Sequence, residues 1–387
     1  MPWWQARQAA SEAACPLPAV TRPLASAMGH ALAAPLTALT DLPAFDTSAM
    51  DGWAVSGHGP WLLRDGGIMA GEVPGPLSAG TAKRIATGAP VPAGASAVLR
   101  VEHGAVADGV LHSSAPLSPG RDIRPRGQEC AAGTTLIEAG TTVTPALLGL
   151  AAAAGHDELL VHRQQTVRVL VTGSELALSG VPRDGRVRDA LSPLLLPWLS
   201  ACGSGLHGTR MVGDRAEALR EEILSSAADV IITTGSTSAG PTDVLRPVLH
   251  EVGARLVVDS VAVRPGHPML LAEIPSRPSG QPRWLVGLPG NPLAAIAGLV
   301  TLALPLLRRL GGHPCPPAHL LAIDTAIPGH PHNVRLVPAT VAGGRAAVLP
   351  FDGPAMLRGV AVADVLVVVP PGGAAAGTYV KAVGLAV

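Results

Sequence analysis

Six short segments carry the residue types from which an anion site is built. In Thr233-Thr234-Gly235-Ser236-Thr237-Ser238-Ala239-Gly240-Pro241-Thr242-Asp243, hydroxyls and glycines crowd together ahead of an expected helix. Small donors in a row, backed by a helix N-terminus, form a nest for a phosphate. Asp243 reads as a magnesium ligand, a filter against the wrong anion, or a plain helix cap. Thr172-Gly173-Ser174-Glu175-Leu176 joins a hydroxyl, a glycine N–H and a carboxylate. Glu175 suits a ribose hydroxyl, a pterin N–H, a cation or a helix-capping role. Arg264-Pro265-Gly266-His267-Pro268 sets a permanent cation and a titratable ring around a turn. Arg264 fits bidentate oxyanion contacts, and His267 helps when protonated or as an N–H donor. Gly287-Leu288-Pro289-Gly290-Asn291-Pro292 is a rigid loop whose N–H groups, with those of the next helix, face one sheet edge. Nearer the start, Asp46-Thr47-Ser48-Ala49-Met50-Asp51 offers carboxylates to a metal or hydroxyls to an anion, unless it is an Asx-turn linker. Thr87-Gly88 offers a hydroxyl and an N–H, or is simply a loop between short strands.

These loops need a scaffold that brings them to one edge. Apolar runs at 167–171, 229–234, 255–259 and 284–288 predict strands, with a shorter one at 206–212. Helical patterns lie between them at 189–201, 215–227, 243–252 and 292–307. Strands alternating with helices predict βαβ units and a largely parallel sheet. The hydroxyl-rich and glycine-rich loops then follow strand C-termini, where ligands bind in such sheets. No G-x-G-x-x-G fingerprint and no G-x-x-x-x-G-K-[ST] loop stands at a strand end, which excludes a nicotinamide or kinase-like site. Residues 53–140 show short apolar runs broken by Gly and Pro, the pattern of a small β-rich unit. Residues 5–14 and 23–34 have helical spacing, and Thr144-Pro145 opens a helix that Gly155 closes. Short strands return after Gly311, predicting a small all-β end to the chain.

Composition removes several function classes. The 387 residues, at 39.0 kDa, suffice for two to four domains. Charged residues make up 14%, with 28 basic against 28 acidic, so a mainly phosphate-backbone-driven nucleic-acid binder is not expected. Hydrophobic residues at 48% exclude general disorder, and aromatics at 2% leave the core to Ala, Val and Leu. Cys15, Cys130, Cys202 and Cys315 form no C-x-x-C pair, so neither a structural zinc site nor a disulfide framework is expected. The run at 292–307, about 16 residues long with prolines at 292 and 305, is short for a membrane span and reads as a buried helix. A cytoplasmic protein with no membrane partner is the expectation.

The ordered set of motifs resembles the molybdopterin molybdenumtransferases, the family that includes the E domain of gephyrin. Residues 43–54 match P-x-F-D-x-S-A-M-D-G-[YW]-A, and 84–92 match R-I-x-T-G-A-x-x-P. Residues 172–176 match T-G-[DS]-E-L, 235–243 match G-G-x-S-x-G-x-x-D with one change, and 287–292 match G-L-P-G-N-P. The resemblance spans residues 5–385. It implies a multidomain α/β homodimer. A discontinuous helical domain (1–42 and 140–165) surrounds a β-rich domain (43–139). An α/β/α sandwich follows (166–310), then a β-barrel-like domain (311–387). The implied reaction inserts molybdate into adenylylated molybdopterin in a Mg²⁺-dependent step that releases AMP, downstream of a molybdopterin adenylyltransferase as pathway partner. By motif, Asp51, Thr87, Glu175, Asp243 and Arg264 would be catalytic. Thr172, Gly173, Ser174, Gly235, Ser236, Ser238, Gly240, His267, Pro289, Gly290 and Asn291 would bind the pterin substrate. Asp51, Glu175, Asp214 and Asp243 would hold the metal, with Asp51 and Thr87 supplied by the partner subunit. The chain departs from the family at His267, where a lysine is usual, and at Ala190 and Leu191, where polar residues are usual. A related binding or scaffold protein with weak catalysis is therefore the alternative expectation.

Overall fold

The computed structural model describes residues 1–237, 243–276 and 280–385. Ser238 and Gly240, assigned above to the anion nest, lie outside the described residues.

Strands buried on both faces read as continuous apolar runs. Three do so here: Thr166–Val171, Val230–Thr234 and Arg283–Leu288. They sit side by side in a six-stranded sheet. Its order is Gly205–Met211, Thr166–Val171, Val230–Thr234, Arg283–Leu288, Leu270–Ile274, Arg255–Asp259. The first four strands are parallel and the last two antiparallel. The two residue sets alternating along these strands feed two cores. Val167, Val169, Val230 and Ile232 pack with the helix Leu191–Ala201 and the long helical run Pro292–Leu310. Leu170, Ile231 and Leu285 pack with Ala216–Ser225 and Leu245–Glu251 on the other face. The strand Leu270–Ile274, framed by Pro268 and Pro275, was not anticipated from its pattern.

The long run passes a length-and-composition test for a membrane span, but 83% of its apolar window is buried inside the protein, so it is a core helix. Leu299–Ala303 within it is π-helical. Pro305 brings no N–H to the turn before it, and Thr301 donates its hydroxyl back to Ala297 O at 2.5 Å.

The chain's first helix, Trp3–Glu12, packs on the central α/β core. Trp3, Ala6 and Ala10 belong to the central α/β core, and Trp3 Nε1 donates to Thr301 Oγ1 at 2.8 Å. The expected helix over 23–34 is corrected: only Leu24–Ala27 is helical, because Met28 leaves the helical region at ψ 137° and Gly29 then turns left-handed at φ 80°. The rest of the first unit is held by Ala19–Pro23 pairing antiparallel with Glu158–His162, and by the helix Pro145–Ala153 with Thr144 as its cap. Inserted in it is a six-stranded sheet ordered Ala97–Arg100, Gly52–Val55, Thr81–Ile85, Trp61–Ile68, Val110–Ser113, Gly104–Ala107. At the C-terminal end, five strands close on themselves. They run Val334–Ala342, Arg345–Val348, His319–Ile323, Tyr379–Gly384, Val365–Val369 and back to the first. Val263 and Arg264 pair with Val334 and Arg335, tying the central domain to this barrel.

Three histidines meet where the first unit joins the central core. His30 Nδ1 donates to His162 O at 3.0 Å, His162 Nδ1 to Leu17 O at 2.8 Å, and His313 Nδ1 is hydrogen-bonded to Thr142 Oγ1 at 2.9 Å. Gly312 lets them approach, since a Cβ there would stand 2.1 Å from His162 Cδ2. Burial, then the charges of Arg308, His30 and His162, push the His313 pKa below its ordinary value. The unfolded chain therefore binds a proton more readily at this residue than the folded one. Its contribution to stability is complete above the ordinary histidine value of about 6.5 and is lost as pH falls below it. Thermal melts from pH 7.5 to 5.5 should show a falling Tm, and His313→Gln should reduce that slope. An identical slope in the variant removes His313 as a cause.

Candidate functional site

From Thr166–Val171 the chain crosses to a strand on one side, then returns to Val230–Thr234 on the other. The loops after these two strands therefore diverge and leave a crevice at their C-terminal ends. A cavity of about 830 Å³ lies there. Thr172, Gly173, Glu175, Asp214, Gly235, Ser236, Asp243, Gly290 and Asn291 line it, so most of the expected α/β-domain residues share one space.

Hydrogen bonds fix its floor. Thr172 Oγ1 donates to Thr234 O at 2.6 Å and receives the Ser236 hydroxyl at 3.2 Å. Gly235 donates its N–H to Leu288 O at 2.7 Å with φ 91°, and a Cβ there would lie 2.8 Å from Thr172 Oγ1. Only glycine satisfies both demands without displacing the threonine. Ser236 itself sits at φ 52°, an uncommon backbone for a residue with a side chain. Thr234 Oγ1 in the cavity wall is buried without a hydrogen-bond partner among the described residues.

The rim is acidic. Glu175 folds over Gly173, whose φ is 116° and whose Cβ would meet both Glu175 carboxylate oxygens at 2.8 Å. Ser174 donates its N–H at 2.9 Å and its hydroxyl at 2.8 Å to Asp214 Oδ2. Ser174 thus positions Asp214 and does not line the cavity. Asp189, passed over as a site residue in the sequence, also faces the cavity. Its Oδ1 accepts from Leu191 N and Ser192 N at 3.0 and 3.1 Å and so caps the next helix. Ala190 and Leu191 make that part of the lining apolar.

Arg264, His267 and Pro289 line a neighbouring cavity of about 400 Å³, sharing only Gly290 and Asn291 with the first. Arg264 and Asp243 therefore face different spaces on either side of the Gly290–Asn291 turn. Arg335 and Asp352 from the barrel line this second cavity and bond each other at 2.5 Å. Sequence reasoning missed both, since only the pairing of 263–264 with 334–335 brings them in. His267 Nδ1 donates to Val261 O at 2.7 Å, which leaves Nε2 as its other functional atom. Gly266, at φ 105°, would set a Cβ 3.1 Å from Ala294 O, so the turn packs directly on the long helix. The expected free N-terminus of that helix is corrected too. Leu293 N and Ala294 N both donate to Pro354 O, at 2.9 and 3.2 Å.

Asp51 and Thr87 line neither cavity. They stand at the edge of the β-rich sheet, where Thr87 N and Oγ1 donate to Asp51 Oδ1 at 2.7 and 2.9 Å. These two bonds, with Arg84 nearby, hold the Asp51 carboxyl below the ordinary carboxylate range. Among the described residues no three His, Cys, Asp or Glu side chains form a metal-holding group, so the four expected carboxylates make no cage within one chain.

The chain matches three family profiles in order: "MoeA N-terminal region (domain I and II)" over residues 1–155, "Probable molybdopterin binding domain" over 168–309, and "MoeA C-terminal region (domain IV)" over 322–385. Molybdopterin molybdenumtransferase 2 of Mycobacterium tuberculosis is 35% identical, covering 87% of this chain and 86% of the relative. The molybdopterin molybdenumtransferase of Synechococcus elongatus is 33% identical, covering 77% of each. A solved molybdopterin biosynthesis MoeA protein from Pyrococcus horikoshii superposes with a TM-score of 0.82 at 24% identity, covering 100% of this chain and 99% of that one. The last likeness is one of fold.

Proposed function

The chain belongs to the molybdopterin molybdenumtransferase family, a transferase of molybdenum cofactor biosynthesis, and from that premise we propose that it inserts molybdate into adenylylated molybdopterin in a magnesium-dependent step that releases AMP. One observation carries the reading: a single cavity of about 830 Å³ at the switch point combines small hydroxyl and glycine donors with the carboxylates Glu175, Asp214 and Asp243. Donors of that kind suit the pterin substrate's phosphates, and carboxylates suit a hard cation.

Magnesium is commonly held by one or two carboxylates plus substrate phosphates, and dedicated protein cages are unusual for it. A rim of separate carboxylates with no three-residue cluster agrees with that mode. Glu175, Asp214 and Asp243 would hold the ion, which supplies neutralising charge to the phosphoanhydride. Thr172 and Ser236 spend their hydroxyl protons on Thr234 O and Thr172 Oγ1, so they hold the cavity floor, while Thr234 Oγ1, without a partner among the described residues, keeps its proton for an anion. Ser174 keeps Asp214 turned toward the cavity. Arg264 and His267, one turn away, offer positive charge or N–H donors to molybdate.

The remaining pair, Asp51 and Thr87, faces neither cavity of its own chain, and in this reading completes the cavity of a second copy in a homodimer. The protein works in the cytoplasm, and its adenylylated substrate calls for a molybdopterin adenylyltransferase upstream. The test is AMP release from adenylylated molybdopterin with Mg²⁺ and molybdate. Asp51→Ala and Asp243→Ala should each be inactive alone. Mixed after subunit exchange, they should recover about a quarter of wild-type activity, because half of the random dimers hold one intact site. No AMP from the wild type rejects the transfer reading, and no recovery on mixing rejects the shared site.

A further inference from the structure

A cavity of about 330 Å³ lies at the opposite end of the two helices whose starts line the catalytic space. Leu191–Ala201 brings Trp198 and Ala201 to it, and the long helical run brings Leu304, Pro305 and Arg308. The opening helix adds Arg7, and the barrel adds His319 and Gly384. Its lining holds two arginines and a histidine and no Asp or Glu. Neither Arg7 nor Arg308 has a carboxylate partner among the described residues, in a chain whose basic and acidic residues balance at 28 each.

Desolvated cations facing one another are unfavourable unless a counter-charge stands between them. Arg7 is half-buried, and its one hydrogen bond is to Val300 O. Burial lowers its pKa, the nearby Cys315 thiol pulls the other way, and the Arg308 charge lowers it again, so Arg7 feels a second cation at the cavity. Arg308 has a partial counterweight, because it sits in the last turn of its helix where the dipole favours a cation. Such a helix end carries about half a charge. It offsets part of one arginine and leaves the other uncompensated.

We propose that this cavity is a second anion site, remote from the catalytic one, which binds the dianionic phosphate group of a small ligand between Arg7 and Arg308. Guanidinium groups match tetrahedral oxyanions through paired N–H donors, and Trp198 in the wall gives a flat surface for whatever the phosphate carries. The site does not depend on the transferase reading, since none of its lining residues belongs to that machinery.

The experiment titrates inorganic phosphate, and separately AMP, into the full-length chain by calorimetry in low salt at pH 7. Arg308→Gln should weaken one binding component about tenfold or more. Arg264→Ala, in the other cavity, should leave that component in place. Gly384→Asp supplies a second variant: a Cβ there meets nothing within 4 Å, so a carboxylate can be placed at the cavity rim without repacking. It should abolish the same component while Tm holds. Equal affinity for phosphate and AMP identifies the bare dianion as the ligand, and tighter AMP adds a contact at Trp198. Phosphate binding that survives unchanged in both Arg308→Gln and Gly384→Asp overturns the inference, as does its complete loss in Arg264→Ala.

Discussion

Replacing Glu175 with glutamine should lower AMP release by about 100- to 1000-fold, the range seen when one preorganised electrostatic group is lost from an active site. The substitution keeps the shape of the side chain and removes its charge. Glu175 is exposed at the cavity rim, so the folded state loses no buried contact and Tm should stay near the wild-type value. Its carboxylate is folded back over Gly173 and lines the same cavity as Thr172, Thr234 and Ser236. Gly173→Ala tests the same placement by another route. An added methyl would meet the Glu175 oxygens at 2.8 Å, and the backbone sits at φ 116°. It should reproduce the loss of activity with Glu175 chemically intact. Raising Mg²⁺ should recover part of the rate in Glu175→Gln if the carboxylate acts through the cation. AMP release at the wild-type rate in Glu175→Gln would remove the residue from the mechanism.

Much of this site was legible in the sequence for a plain reason. Glycine and hydroxyl residues directly after apolar runs can only be loops at strand ends, and in a parallel sheet those ends lie together. Thr172, Gly235 and Gly290, each expected after a strand end, line one cavity. What stayed hidden depends on contacts distant in sequence. Nothing near Leu293 says that its N–H will be taken by Pro354, so the helix start read as free for a ligand. Arg264 and Asp243 both looked like site residues, but the Gly290–Asn291 turn inserts between their cavities. The opening helix carries ordinary amphipathic spacing, and only the Trp3 bond to Thr301, 298 residues away, shows which core it joins. Asp189 was not among the expected site residues, because a single Asp ahead of a helix does not show in sequence which space it faces. It is a cap, and it also lines the cavity.

The site's rigidity begins at the other end of its strands, and there Asp229→Ala should cost about 3 kcal/mol of stability, near the low end for a broken buried ion pair. Asp229 is 4% exposed and ties together the starts of three neighbouring strands. It accepts Arg163 Nη1 and Nη2 at 2.9 and 3.1 Å, and Thr166 N and Oγ1 at 2.8 Å each. Its own carbonyl receives Trp284 N at 3.0 Å. Burial pushes the carboxyl pKa up, but the Arg163 bonds and the two Thr166 bonds outweigh it and hold the value below the ordinary one. The stabilisation is thus fully present above the unfolded value of about 3.9 and is lost as pH falls through the lower folded one. Arg163 stays 30% exposed and can be rehydrated when its partner goes, which is why the low end of the range applies. For a chain of 387 residues the loss corresponds to a fall in Tm of about 4 °C. Asp229→Asn should lose less, because the amide oxygen still accepts from Thr166. AMP release per folded molecule should be unchanged in either variant below its Tm, since Asp229 sits at the far end of strands about 17–20 Å long. A drop in that specific rate without a drop in Tm would mean that the strand starts govern loop geometry directly, and that the two ends of the sheet are coupled.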